Sequence, residues 1–355
     1  MNAKTKKITL ITVVLLLCII FTCCLAACGD PNNNGLGGNE GQIEVPSGNN
    51  NSGNEQTENP GENTPPIVTE AIGDYAYKFL TTFNTDFSKR QAASEEELAA
   101  AEYIKIELTS FGYNADLVPF TYTNWKGTEY NSQNVVAVKQ GTDTTKQIIV
   151  GAHYDSVSAG NGIDDNASGV AALLESAKYY SDKTPSCNIV FVAFGAEEVG
   201  LKGSAAYVKG MTEEEKAKTK LMINIDSIAG GDKLYAYTGA DEESQAILAD
   251  LLTFGKDLGL VTQEGKGKDY GYGETGDWSD HANFKNAGIK FIYFEGTNWD
   301  CDIDGGETQY VDSEGNGYKI MHTSKDTLDW IEENFPGRAK KNVSLCVKSI
   351  INLTE

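Results

Sequence analysis

Only three of the 355 residues are histidine, and one of them, His153, lies in a stretch from Gly151 to Gly169 that also carries Asp155, Asp164 and Asp165. An imidazole and three carboxylates so close together are donor types that hold zinc or another divalent cation. The strand formers Gln147, Ile148, Ile149 and Val150 run into this stretch, and Ala167, Val170, Ala171, Leu173 and Leu174, at its end and beyond, have helical spacing. That places His153 and Asp155 at the C-terminal end of a strand. Asp164 and Asp165 fall on the loop feeding the next helix, with Gly160, Gly162 and Gly169 permitting tight backbone. Open α/β sheets build their sites at such strand ends. Taken alone, the stretch reads equally well as a turn followed by an N-cap.

Other carboxylates occupy equivalent places. Ile189 to Phe194 reads as a buried strand, with Glu197 and Glu198 off its C-terminal end. Ile223 to Asp226 is another strand ending in a carboxylate, and His322 lies ahead of the last helix. Each has a plain rival reading: paired Glu residues favour a helix dipole, and Asp226 could cap a strand end. Together, three strand ends and one loop can bring His153, Asp165, Glu198, Asp226 and His322 to one crevice.

With these residues in hand, the chain resembles the M28 family of co-catalytic zinc peptidases, a group of secreted bacterial aminopeptidases. The matching segments are Ala152–Ser156, Gly162–Gly169, Phe194–Glu198, Asn224–Asp226 and His322–Asp326, in order and in spacing, and Ser279, Asp280, His281 and Phe284 match a further family motif. The resemblance implies the zinc-dependent exopeptidase fold and two Zn²⁺ ions, other divalent metals being alternatives. Asp165 would bridge them, with His153 and Asp226 completing one site and Glu198 and His322 the other. Three protein ligands per ion leave a position open for water. Glu197 would be the general base that passes the water's proton to the leaving amine. Asp155 is expected to fix the His153 tautomer, Asp326 to do the same for His322, and the Asp165–Asn166 peptide to be cis. His281 is expected in or behind the pocket, or as a core histidine, and Trp299, Tyr310 and Tyr318 are expected to line a side-chain pocket. Met321 stands where many members have a Tyr that stabilises the oxyanion, so Tyr318 or the metals alone must serve.

A capping box at Ser94 and Glu97 opens a helix that ends at Phe111-Gly112. Strands are expected over 116–122, 134–139, 147–152, 188–194, 221–228, 233–237 and 289–294. Helices are expected over 168–181, 202–209, 242–258, 278–286 and 338–352. This alternation predicts an α/β fold, a mostly parallel sheet with helices on both faces. Residues 67–355 read as one catalytic domain without internal repeat.

The formal net charge of −22 argues against a nucleic-acid partner. Lys4, Lys6 and Lys7 precede an uncharged run from Ile8 to Gly29 in which Leu25, Ala26, Ala27 and Cys28 resemble a lipobox. Residues 1–28 are therefore expected to be a lipoprotein signal with Cys28 lipid-modified, an uncleaved transmembrane anchor being the rival. Residues 29–66, rich in Asn and Gly, are expected to be a disordered tether. Either leader puts the domain on the extracellular side of a bilayer, secretion being the alternative, and the domain is expected to be a monomer acting on peptides. Cys187, Cys301 and Cys346 form no disulfide framework, Cys301 and Cys346 being the one pair an oxidising compartment could join. Asp300, Asp302 and Asp304 begin like a calcium loop, but Val311 stands where a bidentate Glu is needed, so an acidic surface loop competes with a Ca²⁺ site.

The expected function is removal of N-terminal amino acids. Its rivals are glutaminyl cyclisation or carboxypeptidase action on the same fold, and a non-catalytic binding protein. The complete ligand set and Glu197 disfavour the last.

Overall fold

The computed structural model describes residues 70–265, 270–301 and 307–355. The leader with Cys28, the Asn/Gly-rich segment, and Asp302 and Asp304 lie outside the described residues. One sheet is formed by β1 (Ala115–Thr123), β2 (Glu129–Lys139), β3 (Asp143–His153), β4 (Cys187–Phe194), β5 (Thr219–Asp226), β6 (Lys233–Thr238), β7 (Leu260–Val261) and β8 (Phe291–Thr297). Its order is β1-β2-β4-β3-β5-β8-β6-β7. The four central strands, β4-β3-β5-β8, run parallel, whereas β1, β2 and β6 attach antiparallel at the flanks. A small ribbon pairs β9 (Tyr310–Val311) with β10 (Gly317–Tyr318).

Apolar residues at every position of a strand require cover on both faces. Along β3, Ile148, Val150 and Ala152 enter one core and Ile149 the other; along β4, Ile189, Phe191 and Ala193 alternate with Val190, Val192 and Phe194. The helices that supply the cover are α1 (Asp74–Asp86), α2 (Glu95–Ser110), α3 (Ser168–Tyr179), α4 (Lys202–Gly210), α5 (Glu213–Lys218), α6 (Glu242–Gly255), α7 (His281–Asn286), α8 (Leu328–Asn334) and α9 (Arg338–Thr354). Helices α1, α2, α3, α6 and α9 contribute to the first core, while Tyr207 and Val208 of α4 and Phe284 of α7 pack into the second. Each fully buried Leu, Ile, Val or Phe adds about 1.5–3 kcal/mol of burial free energy.

The parallel α/β architecture agrees with the sequence reading. Three helices were not foreseen. Helix α1 presents Phe79, Leu80 and Phe83 to the core. Helix α5 is short and opens with a complete capping box at Thr212 and Glu215. Helix α8 buries Leu328 and Ile331. The capping box at α2 is only half made. Ser94 Oγ accepts the Glu97 N–H at 3.0 Å, but the Glu97 carboxylate turns to the Ala93 N–H (2.7 Å), Ser132 Oγ (2.7 Å) and the Ala196 N–H (3.0 Å). Cys187, Cys301 and Cys346 are all free thiols, so the Cys301–Cys346 pairing does not form. Cys346 is buried in the first core and Cys301 Sγ donates to the Asn298 carbonyl.

Candidate metal centre

After β3 the chain places β4 on one side of it and β5 on the other, so a crevice opens at the C-terminal ends of these strands. His153 is the last residue of β3 and Asp226 the last of β5. Glu197 and Glu198 follow β4, and Asp165 lies in a kinked turn over Ile163–Ala167, non-helical at Asp165 and Asn166, that leads into α3. His322 arrives from the loop before α8. These are the five residues that the sequence selected as ligands together with Glu197, its candidate base, and they meet.

Asp165 lies between the histidines. Its Oδ1 is 3.1 Å from His153 Nε2 and its Oδ2 is 3.0 Å from His322 Nε2. Asp226 Oδ1 lies 3.3 Å from His153 Nε2, and Glu198 Oε2 lies 3.1 Å from His322 Nε2. Glu197 Oε2 is farther from His153 Nε2, at 3.9 Å. Two overlapping triads come within metal-binding reach, His153 with Asp165 and Glu198, and His153 with Glu197 and Asp226. The second would make Glu197 a ligand. Its longer distance sets it outside Asp165 and Asp226, and we read it as the neighbour of a ligand.

The donor set fits divalent cations. Among the described residues, the ion pairs of Asp165, Glu197, Glu198 and Asp226 are to histidine alone. Burial, with Asp280, Asp226 and Asp155 alongside, pushes the Glu197 carboxyl well above its usual range despite His153. Burial and Asp165 push Glu198 up to about 7. Asp165, held by both histidines against the cost of burial, titrates low. Hydrogen bonds that His322 donates to the Asp165 and Glu198 carboxylates raise its pKa to about 10. Crowded carboxylates that proton-share with histidines gain most from a cation that replaces those protons.

Local backbone serves this cluster. Ala196, Ser227 and His322 adopt positive φ (54°, 52° and 57°), and each is at or next to a candidate ligand or the candidate base. Non-glycine residues hold such angles only where surrounding structure imposes them. The Asp165–Asn166 peptide is cis, as expected. A side chain on Gly162 would meet Ser156 Cβ at 2.5 Å, and one on Gly169 would meet the Ile225 carbonyl at 2.6 Å, so neither position tolerates one.

The supporting residues hold the ligands by different routes from those read in the sequence. Asp155 lies beside the His153 ring, its Oδ1 3.5 Å and its carbonyl 3.3 Å from Nδ1. Its Oδ1 and Oδ2 accept the Glu197 and Glu198 N–H groups at 2.9 and 3.2 Å, so one carboxylate serves both strand ends. Asp326 does not orient His322. It accepts the N–H groups of Ile163 (2.8 Å), Asp164 (2.5 Å) and Asp165 (3.3 Å), capping the turn that carries Asp165. Asp164 turns away from the histidines and accepts from the Ala229 and Gly230 N–H groups. Ser279 Oγ donates to Asp226 Oδ2 at 2.7 Å.

Trp299, Tyr310 and Tyr318 do not line the crevice, and His281 takes the core alternative. His281 is fully buried, stacked on Tyr293 and tilted against Phe291, and donates or accepts only through Nε2 at the Gly276 carbonyl. Burial lowers its pKa to about 4. Trp299 is buried with its Nε1–H donated to Tyr237 Oη at 2.7 Å. Tyr318 stacks on Tyr310 and contacts Lys325, outside the crevice. The crevice, of about 260 Å³, is lined beyond the ligand cluster by Ser227, Trp278, Tyr293, Glu295, Glu307, Lys319 and Met321. Tyr318 therefore cannot replace the missing Tyr at position 321. Asp300 pairs with Lys233.

Arg90 escaped the sequence reading altogether. It is fully buried and donates to the carbonyls of Tyr154 (2.7 Å), Phe87 (2.7 Å), Asn161 (2.9 Å) and Gly162 (2.8 Å), tying together both ends of the His153–Asp165 loop. Nothing local in the sequence marks it, because all its partners but Phe87 lie more than 60 residues away.

Comparison with known proteins agrees with this geometry. The chain is 29% identical over 302 residues to the alkaline phosphatase isozyme conversion protein of Escherichia coli K12, covering 76% of this chain and 86% of that protein. It is 37% identical over 164 residues to an aminopeptidase of Pseudomonas aeruginosa UCBPP-PA14, covering 44% of this chain but only 30% of that longer protein. In structure it superposes on a zinc aminopeptidase of Bacillus subtilis with a TM-score of 0.62, covering 79% of this chain and 95% of the other, at 17% identity, a likeness of fold. The profile of peptidase family M28 matches residues 134–347, a span that runs from β2 to α9 and contains all the candidate ligands. With the ligand order, the strand-end geometry and the profile in agreement, the chain belongs to peptidase family M28.

Proposed function

We propose that this metallo-exopeptidase removes amino acids from the free N-termini of peptides with two zinc ions, His153, Asp165 and Asp226 holding one and Asp165, Glu198 and His322 the other. The observation that carries this reading is Asp165 itself, which turns one carboxylate oxygen to each histidine. Bound zinc supplies Lewis acidity toward the scissile carbonyl and lowers the pKa of an attacking water.

The protein's own groups do the rest. Glu197 takes the water's proton and delivers it to the leaving amine. Its buried carboxyl holds a proton readily, which is what a group alternating between base and acid requires. Asp155 fixes the Glu197 backbone through its N–H and lies against the His153 ring. Ser279 orients Asp226. Met321 lines the crevice without a hydroxyl, so oxyanion stabilisation rests on other groups of the crevice. The leader and its Cys28 support a lipid-tethered enzyme on the extracellular side of the membrane, acting on peptides as a monomer.

The test is purification of the chain, metal analysis, and comparison of peptides with free, N-acetylated and N-terminal Gln ends. Aminopeptidase action requires cleavage of the free form alone, without cyclisation of the Gln peptide or trimming at the C-terminus. Glu197→Gln should lose turnover by roughly 100-fold or more while keeping its zinc. Cleavage of the acetylated peptide, or full activity in that variant, would refute the reading.

A further inference from the structure

Six carboxylates line the crevice, and five have an assignment. Asp165, Glu198 and Asp226 are candidate ligands, Glu197 is the candidate base, and Glu307 at the rim is paired with Lys319. Glu295 is left. It lies on β8 in register with Asp226 on β5, so the two are neighbours across parallel strands. Such strands lie about 4.8 Å apart, which sets Glu295 to one side of the metal-binding cluster, within reach of a substrate's side chain. It is 5% exposed, and its Oε2 has no hydrogen-bond partner among the described residues. A buried carboxylate oxygen without a donor carries a desolvation cost that a structural role does not return.

The walls around it suit a cation. Tyr293, on the same strand face, lines the crevice, and Trp278 stands half-exposed at its mouth. Trp278 is the exposed ring of the two, Tyr293 being buried with His281 stacked on it, and aromatic faces attract ammonium and guanidinium groups. Among the described residues that line the crevice, Lys319 is the one Lys or Arg, and it is engaged with Glu307. The Tyr237 and Tyr293 hydroxyls hydrogen-bond the Glu295 carboxyl group, but no Lys or Arg is paired with it among the described residues that line the crevice, and its Oε2 stays without a partner. The α-ammonium of a substrate is not the natural partner, because a single atom, Cα, separates it from the scissile carbonyl carbon. It must stay beside the ligand cluster, which has carboxylates of its own.

We propose that Glu295 is the specificity-determining carboxylate of the substrate pocket, receiving the side-chain cation of an N-terminal lysine or arginine. The proposal rests on the aminopeptidase reading for its substrate, but its geometry does not depend on turnover. Loss of Glu295 removes a charged hydrogen bond to the cationic side chain alone, so the discrimination it supplies should be roughly 10- to 100-fold.

The experiment uses the zinc-loaded full chain and two measurements. Hydrolysis rates are compared for p-nitroanilides of arginine, citrulline, lysine and norleucine, the second and fourth being neutral analogues of the first and third. Binding of free L-arginine and L-citrulline is measured by calorimetry. The wild type should favour arginine over citrulline and lysine over norleucine by that factor in kcat/KM, and arginine over citrulline in binding. Glu295→Gln should lose the preference by slowing the cationic substrates while leaving the neutral ones near their wild-type rates. Equal rates for charged and neutral substrates in the wild type would overturn the proposal, and so would a uniform fall for all four in the variant. If no substrate is cleaved but arginine binds over citrulline, the aminopeptidase reading fails while this one stands. The wild-type ratio also decides the matter should the variant fail to fold.

Discussion

Asp326→Ala removes the acceptor of three successive backbone N–H groups, those of Ile163, Asp164 and Asp165. The site is buried, so no solvent replaces the carboxylate. Each buried donor left unpaired costs about 1–3 kcal/mol. The third bond is long at 3.3 Å, and neighbouring losses are not additive, so the sum is nearer 3–5 kcal/mol. Some is returned: burial, Asp164 and Asp165 push the Asp326 carboxyl well above its usual range, and removing it relieves that repulsion. A net loss of about 2–4 kcal/mol corresponds to a fall in Tm of roughly 5–15 °C for a domain of this size. The turn that loosens carries Asp165, which the two metal positions share, so both should lose zinc. Had Asp326 served only to orient His322, one position alone would weaken and Tm would hardly move. Asp326→Asn sharpens the comparison, since one oxygen remains for Ile163 and Asp164 while the amide group faces the Asp165 N–H. Scanning fluorimetry of the metal-free protein, with zinc counted after dialysis of the loaded protein, provides both readouts. An alanine variant with wild-type Tm and full zinc would refute the capping role.

Other outcomes follow from the same geometry. His322→Ala and Glu198→Ala should each lower zinc content toward one per chain, as each removes a candidate ligand from one position only; unchanged zinc in both would refute the ligand assignment. Glu97 gives a pH dependence. Burial first, then Asp155, raises its carboxyl from 4.5 to about 7. Between those values the folded protein holds a proton that the unfolded chain has released, so stability falls as pH rises through that window, and the penalty is complete above about 7. Glu97→Gln should therefore show a shallower decline of Tm between pH 4.5 and 7 than the wild type in the metal-free protein. Identical slopes would remove Glu97 as the source.

The parts of this protein that were legible in the sequence share one property: their signal is local. The apolar runs of β3, β4, β5 and β8 announce strands buried on both faces, and the carboxylates and histidine that end them announce a crevice, since only strand ends bring such groups out of a core. What failed depends on partners far along the chain. Arg90 reaches carbonyls 64 to 72 residues away. Asp326 reaches backbone more than 160 residues away. Glu97 looked like a helix cap because its nearest donors in sequence suggested one, and its carboxylate instead holds the Ala196 N–H beside the candidate base. For His281 and Trp299 the sequence leaves pocket and core open, and packing decides for the core. His281 packs its ring between Phe291 and Tyr293, and Trp299 binds Tyr237.

Glu295 is the instructive case, because its signal was local after all. It closes the run Phe291-Ile292-Tyr293-Phe294-Glu295 as Asp226 closes Ile223-Asn224-Ile225-Asp226. The rule that selects one carboxylate at a parallel strand's end selects the other, and the sheet puts them in register. What separates them is their surroundings. Asp226 has His153 and Ser279 within hydrogen-bonding distance, whereas Glu295 Oε2 has none of the described residues. A metal ligand is recognised by the donors it shares, and a substrate-binding carboxylate by the partner that the protein leaves out.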